Sequence, residues 1–199
     1  RTPIWRLLTH SAGLPAHRRY FEGYGATHMT NERRSETKLS VRRNLRRETI
    51  NAPREHGEKY SDLSYLALSW AIERATGIPL EAAWITLPNH SPDSLHFVPV
   101  PNAVTRDQYV ATERCPWRQQ LLQGEVHDDN AWVMGGVCGH AGLFGSLRAV
   151  HNLGRQWLKG IRGEHHTLGL SQRIIGDVLD RVRMTSAGTR VMGWDTPTP

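Results

Sequence analysis

Long apolar runs, lysine and cysteine are all scarce in this sequence of 199 residues. No apolar stretch approaches the roughly 20 residues that a membrane-spanning helix requires. No basic start followed by an apolar segment marks a signal peptide. The sequence therefore predicts no membrane span. It opens at Arg1 without an initiating methionine, and we expect that Arg1 is not a natural start.

Cysteine is limited to Cys115 and Cys138. Two residues are too few for a disulfide framework, and they lack the paired spacing of a zinc site. We therefore expect two buried free thiols, which carry no information about the cellular compartment.

Lysine is limited to Lys38, Lys59 and Lys159 among 25 basic residues, so the net charge of +6 comes mainly from arginine. A basic surface can neutralise nucleic-acid phosphates, but such a surface should be clustered and interleaved with aromatic residues. Here the excess of arginine over lysine extends along the whole chain. We therefore attribute the positive charge to genome composition and not to a nucleic-acid partner. The hydrophobic content of 38% and charged content of 22% are typical of one globular domain.

Hydrophobic periodicity predicts three helices, over residues 63–76, 146–159 and 172–183. In each segment apolar side chains recur at intervals of three and four residues. The side chains expected to point inward are Leu66, Trp70, Leu153, Val178 and Val182. No alternating pattern is strong enough to name a sheet, so the predicted fold class is mainly α with long loops.

Between about residues 20 and 53 this apolar periodicity disappears. Glycine, threonine and asparagine are frequent there, and arginine occurs in pairs at 33–34, 42–43 and 46–47. The composition predicts an Arg-rich exposed excursion with one helix near residues 38–48.

Four motifs occur in a fixed order along the chain. They are L-L-T-H-S-A-G-L-P at residues 7–15, Y-S-D-L at 60–63, G-E-V-H-D-D-N-A at 124–131 and G-G-V-C-G-H-A-G-L-F at 135–144. Together they resemble the β-lactamase-like serine hydrolases, which include class C β-lactamases, penicillin-binding proteins and esterase-like members. The resemblance implies one partial domain over residues 1–199: the helical lobe of an α/β fold whose sheet lobe is largely missing.

The family's nucleophile lies in an S-x-x-K motif, in which the lysine amine unloads the serine hydroxyl as it attacks an acyl carbonyl. The resemblance places that motif ahead of the L-L-T-H segment, so that we expect it before Arg1, and it places a closing H-T-G or K-T-G strand after residues 193–197. Ser35 and Lys38 do match S-x-x-K. They lie after the L-L-T-H motif instead of before it, however, and they lack an apolar helix face. We interpret this match as coincidence and expect the chain by itself to be inactive.

Tyr60 and Asp62 are the candidate catalytic residues that the resemblance implies. Tyr60 matches the tyrosine that exchanges a proton with the nucleophile or the leaving group. A phenol is a poor base at neutral pH, so this role requires a nearby ammonium group. The resemblance assigns that group to the lysine of the S-x-x-K motif, and Asp62 would pair with this lysine. The structural alternative is that both residues only cap the helix beginning at Leu63.

The candidate substrate-binding residues are Asn130, His140 and Gly142, in two motifs that resemble a wall of the cleft. Glycines there would allow a close approach of the backbone, and Asn130 would offer an amide. His127, Asp128 and Asp129 with His140 also suit a metal ion, but the resemblance favours no metal and no cofactor. His140-Ala141-Gly142 could be the closing strand, although we expect a turn because a helix follows.

Two functions follow from these observations. The first is a fragment of a serine hydrolase that forms an acyl-enzyme with a small-molecule or peptide substrate, namely an ester, an amide, a β-lactam or a D-amino-acid peptide. The alternative is a non-catalytic interaction module that binds an acidic partner through the Arg-rich face, residues 33–47. Oligomeric state and localisation are left open.

Overall fold

The computed structural model describes residues 2–26, 29–51, 57–88, 90, 94–100, 106–180 and 190–195. The helices are α1 (Ile4–Leu8), α2 (Asn31–Asn51), α3 (Asp62–Thr76), α4 (Leu80–Ile85), α5 (Asp129–Val133), α6 (Leu147–Ile161) and α7 (Gln172–Asp180), with short 3-10 turns at Tyr20–Gly23 and Arg106–Gln108. The strands are β1 (His96–Phe97), β2 (Arg114–Cys115), β3 (Gln120–Leu121), β4 (Leu143–Phe144), β5 (Arg190–Val191) and β6 (Trp194–Asp195). They form three separate antiparallel pairs, β1 with β4, β2 with β3 and β5 with β6.

Helix α3 lies in the hydrophobic core, as the sequence predicts. Its first turn is capped by Ser61, whose hydroxyl accepts a hydrogen bond from the Ser64 amide. Its last turn ends at Gly77, which adopts a φ of 74°, a conformation that glycine tolerates best. Leu63 and Leu66 are buried on the inner face of the helix. The predicted helix over residues 63–76 is confirmed.

Helix α6 confirms the prediction for residues 146–159, with boundaries that differ by one or two residues, and α7 confirms the prediction from residue 172 to residue 180. Ser146 caps α6 by accepting a hydrogen bond from the Ala149 amide. Helix α7 is described as far as Asp180, so residues 181–183, including Val182, lie outside the described residues. Leu66 is buried as predicted, whereas Trp70, Leu153 and Val178 are half-buried.

Helix α2 replaces most of the excursion predicted between residues 20 and 53. It is 21 residues long, and Thr37, Val41 and Leu45 are buried along one face. These three residues are spaced by four, which places them on one side of a helix. A narrow line of three buried side chains is enough to attach the helix to the core. The segment is therefore a packed helix with one buried face.

The arginines of α2 divide between solvent and core. Arg43, Arg46 and Arg47 are exposed, as predicted. Arg42 is half-buried and forms an ion pair with Glu73 on α3. Arg34 is only 6% exposed, so the prediction of an exposed Arg-rich stretch is wrong for this residue.

Two arginines hold the ring of Trp132 on the short helix α5. The Arg34 guanidinium lies 4.4 Å from the ring centre and donates to the Trp132 carbonyl, while Arg118 lies 5.2 Å from the ring. Arg118 also forms a 2.6 Å ion pair with Asp129. Buried cations are tolerated when carbonyl and carboxylate oxygens satisfy their donors. This cluster holds α5 in place, and the residue that caps α5, Asp128, bonds to His140.

The structure bears on the two cysteines and on the apolar content of the helices. Cys115 and Cys138 are free and buried, which confirms the prediction of buried thiols. Among the described helices, none has both the length and the apolar content that crossing a bilayer requires.

Candidate active site

A cavity of about 270 Å³ opens at the N-terminus of α3. Its walls come from distant parts of the chain: the end of α1, the turn before α3, the loop at residues 139–140 and the β5–β6 pair. The lining side chains with polar or ionisable groups include Tyr60, Asp62, His10, His140, Arg190 and Asp195. The cavity therefore brings together residues from three of the four motifs that carry the resemblance.

Tyr60 lies in the turn before α3 and is 54% exposed. Its ring packs against His10, with 4.6 Å between the ring centroids, and the Arg190 guanidinium lies 5.0 Å from its ring centre. Among the described residues, none forms a hydrogen bond with the Tyr60 hydroxyl. Within the described part of the chain, the cation against the Tyr60 ring is the guanidinium of Arg190, and the ammonium neighbour stays a prediction.

Ser61 caps α3 and cannot act as a free nucleophile in this geometry. Its hydroxyl donates to the Pro15 carbonyl at 2.7 Å and accepts from the Ser64 amide at 3.3 Å. The side chain is also almost completely buried. The alternative in which Tyr60 or Asp62 caps the helix is therefore corrected, because Ser61 is the cap.

Asp62 begins helix α3 and faces a histidine. Its carboxylate lies 2.9 Å from Nδ1 of His17, a half-exposed residue that follows the first motif. The sequence predicts that Asp62 pairs with a lysine. In the described residues the pairing is with His17, and the catalytic role of Asp62 stays a prediction.

His140 is joined to the N-terminus of α5. Its Nε2 lies 2.9 Å from the Asp128 carboxylate, which also caps α5 by accepting from the Ala131 amide. Burial alone would raise the pKa of Asp128, but the hydrogen bond and charge of His140, with the Ala131 bond, lower it. The other ring nitrogen of His140, Nδ1, is buried and has no partner in the described residues.

The loop at His140-Ala141-Gly142 is a bend, which confirms the predicted turn. Gly142 has a φ of 115°, and an added Cβ there would overlap the Gly136 carbonyl oxygen. Gly139 is packed as tightly against the Tyr65 carbonyl. At both glycines the close approach is to another part of the same chain, and an approach to substrate stays a prediction. Gly142 does not line the cavity at Tyr60, and its predicted contact with substrate stays a prediction.

Asn130 is also outside this cavity. It is 1% exposed, its Oδ1 accepts from the Phe21 amide at 3.0 Å, and its Nδ2 donates to the Arg18 carbonyl at 2.8 Å. The amide is thus occupied by the backbone of the segment that precedes α2. This geometry gives Asn130 a structural function, and its role in substrate binding stays a prediction.

The S-x-x-K match at Ser35 and Lys38 lies on α2, away from the cavity. The Ser35 hydroxyl donates to the Asn31 carbonyl at 3.0 Å, and the Lys38 amine pairs with Glu73 at 3.0 Å. Burial and the neighbouring Arg42 lower the pKa of Lys38. Serine and lysine therefore each have their own partner, which agrees with coincidence rather than a catalytic dyad.

The metal alternative for the third motif receives no geometric support within the described residues. No group of three or more histidine, cysteine, aspartate or glutamate side chains converges there in a metal-binding arrangement. His127 instead pairs with Glu113 at 3.2 Å.

Sequence reasoning gave no role to His10 or Arg190, which both contact Tyr60. His10 follows the threonine of the first motif, and its place within that motif is the sequence signal that could have indicated a role. Arg190 is held by Glu58 at 2.7 Å, across 132 residues of sequence. No local pattern indicates such a contact.

Comparison with known proteins finds relatives but no solved structure. The chain is 32% identical to proteins named "Putative D-alanyl-D-alanine carboxypeptidase" from Salmonella heidelberg and Salmonella agona. In each case the alignment is 173 residues long and covers 77% of this chain but 38% of the relative. The chain therefore spans well under half the length of these relatives. No family model and no solved structure matches the chain.

Proposed function

We propose that this chain contributes the tyrosine-bearing part of the active site of a serine hydrolase that works through an acyl-enzyme. The substrate class is a peptide ending in D-amino acids, or a related ester, amide or β-lactam. The name of the Salmonella relatives supports the peptide, since a D-alanyl-D-alanine carboxypeptidase cleaves such a bond. The corresponding fold is the helical lobe of the β-lactamase-like architecture.

The observation that carries the proposal is the placement of Tyr60. This side chain is exposed beside a cavity, contacts a buried imidazole and a guanidinium, and has a hydroxyl that no described residue binds. A tyrosine with only a packing function would bury its ring or bond its hydroxyl. Tyr60 is instead arranged so that its hydroxyl can reach a molecule in the cavity.

The nucleophile must come from outside the described lining of the cavity. Ser61 is the serine nearest to Tyr60 in sequence, and its hydroxyl is fully used in capping α3. In our proposal the attacking serine belongs to an S-x-x-K motif that precedes residues 7–15. The lysine amine of that motif helps to unload the serine hydroxyl during attack, and Tyr60 exchanges a proton with the nucleophile or the leaving group.

The Tyr60 ring lies beside a permanent positive charge. The Arg190 guanidinium stands 5.0 Å from the centre of the ring. The Asp62 carboxylate lies within hydrogen-bond distance of His17, and the Glu58 carboxylate forms an ion pair with Arg190. The catalytic lysine of the motif would add a second cation.

The test is the turnover of a polypeptide that carries S-x-x-K and H/K-T-G motifs together with these 199 residues. Replacing Tyr60 with phenylalanine removes only the hydroxyl group. We expect kcat for a p-nitrophenyl ester or a D-alanyl-D-alanine peptide to fall about a hundredfold or more, with little change in KM. Tyr24→Phe is the matched control, since Tyr24 is half-buried beside the core and does not line the cavity.

A further inference from the structure

His10 has an unusual backbone conformation for a residue that is not glycine. Its φ is 55°, in the left-handed region, and among the described non-glycine residues it shares this property with Gln119. Such conformations are costly for residues other than glycine and persist where the surrounding structure requires them. In His10 this backbone conformation accompanies three separate contacts to the short segment 59–61.

Each contact fixes one residue of that segment. The His10 carbonyl accepts a hydrogen bond from the Lys59 amide at 3.0 Å. Its Nδ1 accepts one from the Ser61 amide, also at 3.0 Å. Between these two bonded residues stands Tyr60, whose ring packs on the imidazole at 4.6 Å. An exposed tyrosine is thus held by a histidine that is only 6% exposed.

The hydrogen bond from Ser61 also fixes the tautomer of the imidazole. Because Nδ1 accepts a hydrogen bond from the Ser61 amide, its lone pair must point at that N–H group, so the ring proton of neutral His10 is on Nε2. Burial and the positive charge of Arg190 lower the pKa of His10 and outweigh the Ser61 hydrogen bond and the Asp62 and Asp195 carboxylates, which raise it, so the ring stays neutral near pH 7. On its other side the imidazole stacks on Tyr65 at 5.0 Å between centroids.

We propose that His10 is a positioning residue for Tyr60: its ring and its Nδ1 acceptor hold the phenol at the cavity. The inference rests on the proposed function of Tyr60, but the geometry that it describes can be measured without any catalysis. Protonation of His10 would remove the acceptor for the Ser61 amide and release Tyr60 from this position.

The first measurement uses the unmodified 199-residue chain, with nitrogen-15 and carbon-13 NMR. We expect the His10 ring to show a protonated Nε2 and an unprotonated Nδ1. The Ser61 amide and the Tyr60 ring signals should change together with the titration of His10, at a midpoint below the usual 6.5 for histidine. A tautomer with the proton on Nδ1, or Tyr60 signals that ignore this titration, would overturn the inference.

Two substitutions then separate the ring from the acceptor. His10→Asn keeps an acceptor for the Ser61 amide and tolerates a positive φ, but it removes the ring. Its Ser61 amide should stay protected from hydrogen exchange while the Tyr60 ring signals move toward those of free tyrosine. His10→Phe keeps a ring and removes the acceptor, so exchange of the Ser61 amide should become about tenfold faster. His151→Asn is an exposed change on α6 and should alter neither the exchange of the Ser61 amide nor the Tyr60 ring signals.

The outcomes distinguish this inference from the proposed function. If Tyr60 signals stay as in the unmodified chain in both His10 variants, positioning by His10 is wrong, whatever Tyr60 does. If the NMR results agree but Tyr60→Phe leaves turnover unchanged in the longer polypeptide, the proposed function is wrong and the positioning geometry remains.

Discussion

Replacing Asn130 with alanine should lower the free energy of unfolding by about 2–4 kcal/mol. Asn130 is 1% exposed, and its amide connects α5 to the backbone of Arg18 and Phe21, more than 100 residues earlier in the sequence. The truncation leaves the Phe21 amide buried without an acceptor, at a cost of about 1–3 kcal/mol. The Arg18 carbonyl belongs to an exposed residue and can be rehydrated, so its loss costs less. The lost packing accounts for the remainder.

Urea denaturation of the 199-residue chain, followed by circular dichroism and tryptophan fluorescence, measures this change. Asn152→Ala is the matched control because Asn152 is exposed on α6, and its substitution should stay within about 0.5 kcal/mol of the unmodified chain. If Asn130→Ala were equally mild, the reasoning would be refuted. The amide would then be free of a structural function, and its predicted contact with substrate would gain support.

Two further predictions concern pH and activity. Because the pKa of His10 is lowered in the folded chain, its neutral form stabilises the fold above about pH 6.5 and this contribution is lost as the pH falls below that value. Urea midpoints measured from pH 8 to pH 5 should decrease across this window, and the decrease should be smaller in His10→Asn. The 199-residue chain alone should not hydrolyse a chromogenic cephalosporin or react with a fluorophosphonate probe, since Ser61 is bonded and Ser35 has no free lysine beside it. Labelling that maps to either serine by mass spectrometry would contradict the assignment of the nucleophile.

The helices that the sequence predicts well are those whose signals are local. In α3 a cap, an apolar stripe and a terminal glycine all occur within residues 61–77, so the pattern alone gives the element. The exact cap was ambiguous because serine and aspartate are both good N-caps and are adjacent here. Ser61 caps the helix because its hydroxyl reaches both the Ser64 amide and the Pro15 carbonyl.

Helix α2 shows why a composition can mislead. Its residues are strongly polar on average. Three buried side chains four residues apart give only a weak periodic signal. The helix is stabilised by contacts that no local pattern shows, such as the ion pair between Arg42 and Glu73, 31 residues apart. The sequence does contain the line Thr37, Val41 and Leu45, which would have predicted a packed face.

The candidate site was predictable where a motif carried it and not where distant segments meet. Tyr60 and His140 were indicated by the resemblance, and the structure brings both to one cavity. Asn130 was indicated too, but its partners at residues 18 and 21 determine where its amide points. Arg190 was missed because its position against Tyr60 depends on Glu58, a contact that only the folded chain defines.

The central claim is that Tyr60 exchanges a proton with a serine nucleophile. Its most direct test is kcat for Tyr60→Phe in a polypeptide that joins S-x-x-K and H/K-T-G motifs to these residues, with Tyr24→Phe measured beside it. We predict that kcat falls about a hundredfold or more for Tyr60→Phe while KM changes little, because proton transfer matters mainly in the transition state. Equal turnover in the two variants would show that the Tyr60 hydroxyl takes no part in the reaction, and the claim would be wrong.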